Sequence, residues 1–298
     1  MTASDVKAYI NDLECLPTIP VVGQKITALS NKEDAAANEL ADLIGHDPAL
    51  AALVIRGANL KTLGHPGQVR DIRQAILFLG VERIMTMSSC MNCLINAPAT
   101  HATSDLKNLW IHFYDVALIA SILSEYVSIT SSDECFLSGL LHDMGRIIFY
   151  KMDLDRFNQI ITTDDMLEQE EAIFGCTHAE AGAWFAEKSG LPPEIVTAAR
   201  YHHHPALSRE FKDVISIVSL AEALSRTFCP RIEDDGIWSN EHDAILLELG
   251  LDDFELDSIR GKLALAREGI NGFFSKDTSR ILRQTRAAFP GKANPLPS

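Results

Sequence analysis

ECFLSGLLHDMGRIIFY, residues 134–150, decides how this chain is read. Between its first and last residues the only side chains of charged type are those of His142, Asp143 and Arg146, set among Leu, Ile, Phe and Met. No strict apolar–polar alternation runs through it, so it predicts a helix buried over most of its circumference rather than a half-exposed strand. Ser131 and Glu134 fit a capping box at its start. The adjacent pair His142-Asp143 then needs an explanation, because a buried ionisable group without a partner costs several kcal/mol or gives up its charge. A bound metal ion satisfies both side chains at once.

The same helical character extends outward in both directions. Asp47-Pro48 reads as an N-cap followed by a first-turn proline, and Leu50, Leu53, Val54 and Leu60 recur at helical offsets behind it. Similar periodicity marks about 70–97, 106–128, 134–151, 165–174, 178–189, 193–203, 213–228 and 241–249, and no five-residue run alternates like a strand. The chain therefore reads as all-α. NAPATHATSD, residues 96–105, gathers small residues, a proline and capping types between two apolar helices. It predicts an N-terminal helical lobe over 1–104, a second helical lobe over 105–290, and a frayed tail over 291–298.

Composition narrows the function classes. The 298 residues are 47% hydrophobic and 22% charged, with 26 Lys+Arg against 41 Asp+Glu and a formal charge of −15. Such a surface repels nucleic acid and anionic lipid. No apolar stretch approaches the roughly 18–20 residues that cross a bilayer, and the start is acidic, so the expectation is a cytoplasmic protein with neither nucleic-acid nor membrane partners. The acids concentrate in 232–257, read as a solvated face, whereas 275–292 reads as a basic last helix. Six Cys, at 15, 90, 93, 135, 176 and 229, read as reduced, mostly buried thiols. Cys90 and Cys93 form a single CxxC flanked by Met85, Met87, Met91 and Leu94 at helical spacing, which favours core packing. Gly64 and Gly67 bound a loop between helices, Asn59 caps or cross-links the N-terminal helices, and Ser138 and Ser219 lie in no nucleophile motif.

Histidines complete the pattern. His112 lies among Trp110, Ile111, Phe113 and Val116; His178 opens HAEAGAWFAEKSG; His202 and His203 end VTAARYHHHP; Glu222 interrupts ISIVSLAEALSR. Each alone reads as a core or capping residue. Together they make a mixed imidazole–carboxylate set large enough for one octahedral or two bridged divalent ions, with Fe, Mn, Ni, Co or Zn as the metals such donors suit.

In order and spacing, His112, His142-Asp143, His178, His202-His203 and Glu222 resemble the HD superfamily of metal-dependent phosphohydrolases. The fuller resemblance is to its HDOD branch, the HD-related output domain of bacterial signalling. It runs over about 13–225 through LPTIP (16–20), HDPALAALVIRGAN (46–59), IRQAILFLGVERI (72–84), LWIH (109–112), LSGLLHDMGR (137–146), HAEAGAWFAEKSGLPPEIV (178–196) and YHHHP (201–205). The resemblance implies an N-terminal helical bundle packed on an HD-like helical lobe. It also implies metal ligands at His112, His142, Asp143 and Glu222, the last replacing the family's Asp, and a second set at His178, His202 and His203. Cys176 is a softer donor ranked below His178.

Two departures shape the expected function. The two-metal HD-GYP relatives, which cleave cyclic di-GMP, follow their His-His pair with a Gly-Tyr-Pro loop, whereas YHHHP runs directly into ALSREFKD. Their lysine after the HDxG motif is Arg146 here. The expectation is a regulatory protein that works mainly by binding a signalling protein partner in trans and keeps its metal site. The alternative is a metal-dependent phosphohydrolase acting on a nucleotide, cyclic nucleotide or other phosphate-containing ligand, in which Asp143 orients the attacking water and Arg146 neutralises phosphate. The six histidine and aspartate side chains should meet in one cleft, with Glu222 at its edge.

Overall fold

The computed structural model describes residues 1–16, 37–59, 68–81, 103–127, 130–160, 165–229 and 238–273, with a few isolated positions between them; for 103–107 and 268–273 it describes the backbone only. Among these residues all regular structure is helical. The first helices are α1 (Ala3–Asp12), α2 (Ala37–Gly45), α3 (Pro48–Ala58) and α4 (Ile72–Leu79). The long α5 (Thr103–Val127) follows, then α6 (Ser132–Leu141), α7 (Met144–Met152), α8 (Leu154–Ile160) and α9 (Met166–Phe174). The chain continues through α10 (His178–Lys188), α11 (Pro193–Tyr201), α12 (Lys212–Phe228), α13 (Asn240–Leu249) and α14 (Asp253–Phe273). No helix among the described residues is long and apolar enough to cross a membrane.

Local signals fall where the chain chemistry puts them. Asp47 caps α3 by accepting from the Leu50 amide at 2.6 Å, with Pro48 in the first turn. The Ser131 side chain accepts from the Glu134 amide at the start of α6. Asn59 cross-links α3 to the strandless segment before α4, donating to the Val69 carbonyl and accepting from the Val69 amide, each at 2.8 Å. Of the expected 70–97 helix, α4 is ended by Gly80, whose φ of 77° suits glycine, and most of the remainder lies outside the described residues. Also outside them lie Gly64 and Gly67, the Cys90–Cys93 motif, most of the boundary at 96–105 and the basic 275–292 segment.

One expectation needs correction. Residues 134–151 do not make a continuous helix: α6 stops at Leu141 and α7 begins at Met144. Asp143 occupies the N-cap of α7 yet its side chain makes no capping bond. Aspartate at this position ordinarily turns its carboxylate back onto the helix amides; here the carboxylate points into a cluster of imidazoles, and the helix is interrupted at the pair that carries the chemistry.

Two apolar clusters hold the helices together. The first joins Val6 and Ile10 of α1, Leu50 and Val54 of α3, and Trp110 and Phe113 of α5 to Leu137, Ile148, Phe174 and Phe185. The second gathers Ile119 and Leu123 of α5 with Val218 and Leu224 of α12, Ile245 of α13, and Ile259 and Leu263 of α14. Lys188 closes the end of α1, donating to the carbonyls of Ile10, Asn11 and Leu13 at 2.6–2.7 Å. The described cysteines 15, 135, 176 and 229 are all free thiols, with Cys135 and Cys176 buried.

Candidate metal centre

Two glycines set the site. A Cβ at Gly139 would stand 3.0 Å from the Ala117 backbone, so α6 can lie against α5 only because that Cβ is missing. His142, at the end of α6, thereby reaches His112 on α5, with ring centroids 5.5 Å apart. At Gly145 a Cβ would overlap the carbonyl group of His178. That contact brings the first turn of α10 onto the first turn of α7 and sets His178 beside Asp143. His202 and His203 enter from the end of α11, and Glu222 from the middle of α12.

Asp143 is the centre of the arrangement. Its Oδ1 lies 3.0 Å from His178 Nε2 and 3.3 Å from His202 Nε2. Its Oδ2 lies 3.5 Å from Nε2 of both His112 and His142, and accepts from Arg146 at 3.1 Å. Glu222 Oε2 stands 2.8 Å from His142 Nε2 and 3.3 Å from His112 Nε2. Two donor sets therefore share Asp143: His112 and His142 on one side; His178, His202 and His203 on the other. His112, His142, Asp143, Arg146 and His178 are fully buried, and His202 and Glu222 nearly so. Glu222 is not at the rim, as expected from sequence, but packed between His112 and His142. Cys176 joins neither set among the described residues, and burial pushes its thiol up to about 12, far from a thiolate ligand.

Ring orientation is set from behind. His142 Nδ1 donates to the Gly139 carbonyl at 2.6 Å, and His202 Nδ1 to the carbonyls of Ala198 and Ala199. His178 Nδ1 donates to Glu170 at 2.8 Å, and the same carboxylate accepts from the His178 amide at 2.7 Å. Each of these bonds places the proton on Nδ1 and turns the Nε2 lone pair inward. Glu170 was not among the residues singled out from sequence. Its signal was its place on the stripe Met166, Glu170, Phe174, where every fourth residue of α9 is buried.

The electrostatics follow from crowding without water. Burial raises the Asp143 carboxyl, but His142 and His178 outweigh it and hold the group well below its usual range. Burial likewise opposes ionisation of Glu222, and His112 and His142 bring it down to about 2. His202 drops to about 4 through burial and the adjacent His203. His178 is raised well above its ordinary value because Glu170 and Asp143 overcome its burial. The centre thus contains carboxylates that stay ionised and imidazoles competing for protons.

These residues fit a divalent metal. His178 Nε2 lies 3.3 Å from His202 Nε2 and 3.0 Å from His203 Nε2. With the Nδ1 protons of His178 and His202 committed elsewhere, inward lone pairs face one another, and only a proton or a cation between them relieves the repulsion. On the other side, Glu222 Oε2 stands against Nε2 of both His142 and His112 as an ion pair, an edge that ligands of one ion would share. With bonds of roughly 2.1 Å, adjacent ligands of an octahedral ion stand about 3.0 Å apart, which is the scale of these nitrogen–oxygen separations. The centre opens into a cavity of about 690 Å³ bounded by His202, His203, Glu222 and the start of α13.

Comparison with known proteins shows what the chain and its fold are similar to. A family model described as the HDOD domain matches residues 16–205. The chain is 24% identical over 232 residues to an uncharacterized protein of Treponema pallidum, covering 75% of this chain and 44% of that protein. It spans less than half the length of the curated relatives it matches. Among solved structures it is similar to the MmoQ response regulator from Methylococcus capsulatus, with a TM-score of 0.66 at 20% identity, covering 83% of this chain and 98% of that one. A virulence factor from Campylobacter jejuni gives a TM-score of 0.63 at 16% identity, covering 86% and 95%. At these identities the likeness is one of fold.

Proposed function

The chain belongs to the HDOD domain family, and from that premise we propose that it is a bacterial regulatory protein that binds a signalling protein partner and keeps a two-compartment divalent-metal centre. The observation that carries this reading is the position of Arg146. It is fully buried and donates to Asp143, so it braces the centre from behind. It does not line the cavity in front, where a phosphate would sit. Between His204 and α12 lie only the short 3-10 turn Pro205–Leu207 and the four residues 208–211, without the Gly-Tyr-Pro that grips a dinucleotide in the two-metal relatives.

Bound in the two compartments, divalent ions supply Lewis acidity. The chain's own residues do the rest: Asp143 serves both compartments, Glu170 fixes the tautomer of His178, and Glu222 adds a carboxylate to the His112–His142 side. The intact double set favours a second reading, a metal-dependent phosphohydrolase. Catalysis, however, also requires the phosphorus to be held in line with its nucleophile, and losing that positioning forfeits much of the rate.

The test uses the purified full chain, analysed for bound metal and assayed with cyclic dinucleotides, other phosphodiesters and nucleotides. The regulatory reading expects metal that is lost on His142→Ala and turnover far below about 1 per second. Turnover at or above that rate, abolished by His142→Ala, would establish the enzyme instead.

A further inference from the structure

Two of the helices that end on the metal centre also begin on a common cation. Glu134 lies in the first turn of α6 and Glu194 in the first turn of α11. Arg70, in the segment leading into α4, reaches both: its Nε is 3.3 Å from Glu194 Oε1 and its Nη1 is 3.9 Å from Glu134 Oε1. Among the described residues no other Lys or Arg pairs with either carboxylate. In each helix the histidine that reaches the centre, His142 or His202, stands eight residues after the carboxylate, at a C-cap that keeps helical geometry. With a rise of about 1.5 Å per residue, each helix is a lever roughly 12 Å long. At the far ends the two imidazole rings stand 4.9 Å apart and both face Asp143. The pair is thus fastened at both ends, with α6 packed against α11 in between.

Arg70 is itself held from the other side. Its neighbour Val69 exchanges two hydrogen bonds with Asn59 at the end of α3, each at 2.8 Å, and Asp71 caps α4 by accepting from the Gln74 amide at 2.7 Å. Nor is this a free surface pair, whose worth is small. Glu194 is buried. Burial raises its carboxyl above the ordinary value and Glu134 adds to the rise, while its own backbone amide and Arg70 oppose it. Removing the cation leaves a buried carboxylate without its counter-charge, which is costly.

We propose that Arg70 is a positioning residue for the metal centre: by joining the starts of α6 and α11 it holds His142 and His202 at the spacing a shared ion requires, and so couples the segment before α4 to metal occupancy. This rests on the metal reading above and adds what sets the affinity. The coupling is reciprocal. An ion that draws His142 and His202 together steadies the helices carrying Glu134 and Glu194, and through them Arg70 and Val69. Because Arg70 is partly exposed while the ligands are buried, the centre can be loosened from the surface at a point remote from its own donors.

The test measures Mn²⁺ affinity of chelator-stripped full-length protein by titration calorimetry, and hydrogen exchange of the Val69 amide with and without Mn²⁺. Arg70→Gln and Glu194→Gln should each weaken Mn²⁺ binding by about fivefold or more, with the helical signal by circular dichroism unchanged. The double variant should lose no more than the weaker single one, because both act through one contact. Arg70→Lys keeps the charge and should recover part of the loss. In wild type Mn²⁺ should slow exchange at Val69; in Arg70→Gln it should not. If Arg70→Gln does not fold, Arg70→Lys and Glu194→Gln carry the same comparison. Affinity within about twofold of wild type in the single variants, fully additive losses in the double one, or protection of Val69 that survives in Arg70→Gln overturns the coupling and leaves the metal reading standing. A wild-type chain that takes up no Mn²⁺ overturns the metal reading and the coupling with it.

Discussion

Across 63 positions of sequence, the indole Nε1 of Trp110 donates to Oδ2 of Asp47 at 3.0 Å. The other oxygen of that carboxylate caps α3. One buried side chain thus starts an N-terminal helix and fastens it to the helix that presents His112 two residues further on. Asp47→Ala removes the cap and leaves the indole N–H buried without an acceptor, which should cost about 2–4 kcal/mol. Asp47→Asn keeps one acceptor for the Leu50 amide but sets an NH2 donor against the indole N–H, so it should recover only the capping share of the loss. Urea unfolding of both variants measures the difference, and an alanine variant within about 1 kcal/mol of wild type would show that the link is not stabilising.

Gly145 and Gly261 should respond to alanine in opposite directions. At Gly145 the added methyl overlaps the His178 carbonyl, so α7 and α10 must separate, and stability should fall by roughly 3 kcal/mol or more with loss of bound metal. At Gly261, inside α14, nothing lies within 4 Å of the added carbon. Alanine there should raise stability by about 0.5–1 kcal/mol. Melting curves and metal analysis of the two proteins side by side give the answer.

Glu170 touches the centre only through His178. Glu170→Gln removes the charge that holds the Nδ1 proton while preserving size, and should weaken metal affinity by about 10–100-fold. The helical signal by circular dichroism should not change. Competition with a chromogenic chelator reads the affinity; a change within about twofold would assign Glu170 to packing alone.

His46, which belongs to neither donor set, makes stability sensitive to acid. It is buried and stacked on Tyr114, with ring centroids 4.4 Å apart. Burial pulls its pKa below the ordinary 6.5; the Asp42 carbonyl and carboxylate oppose this, while Lys25 adds to it. The unfolded chain therefore takes up this proton at a higher pH than the folded one, and stability falls as pH drops below about 6.5 toward the folded value. His46→Gln cannot take part, so the stability advantage of wild type over the variant should shrink between about pH 7.5 and about pH 5.5. Urea midpoints at the two pH values check the sign, and a constant or growing advantage counts against it.

Helicity and the meeting of distant histidines were legible because apolar periodicity and capping are local, and because buried imidazoles on separate helices need one another. The break between Leu141 and Met144 was not legible. Its apolar pattern continues straight through, and the cause is Asp143 leaving its capping role for partners that only the tertiary fold supplies. Glu222 looked peripheral for a similar reason: its neighbours in sequence are apolar, and its proximity to His142 depends on how α12 crosses α6. Glu170 sits among Glu168 and Glu171, and chain chemistry alone does not say which carboxylate turns inward. Helices α1 and α14 are too polar on average to stand out, and besides their few core residues they are held by contacts such as Lys188 on the end of α1 and Arg267 on Asp115 at 2.9 Å.

The depth at which Cys135 lies gives the molecule a clock for its own opening. Its sulfur is sealed in the second apolar cluster, and burial pushes the thiol up to about 12. At pH 8 the folded thiol stays protonated, and it is the thiolate that attacks an alkylating reagent. The folded protein should therefore be silent to iodoacetamide at this position, while each excursion that exposes α6 registers as one irreversible mark. Counting marks at Cys135 by mass spectrometry over time would report how often the helix bearing His142 leaves its place, without ligand or denaturant.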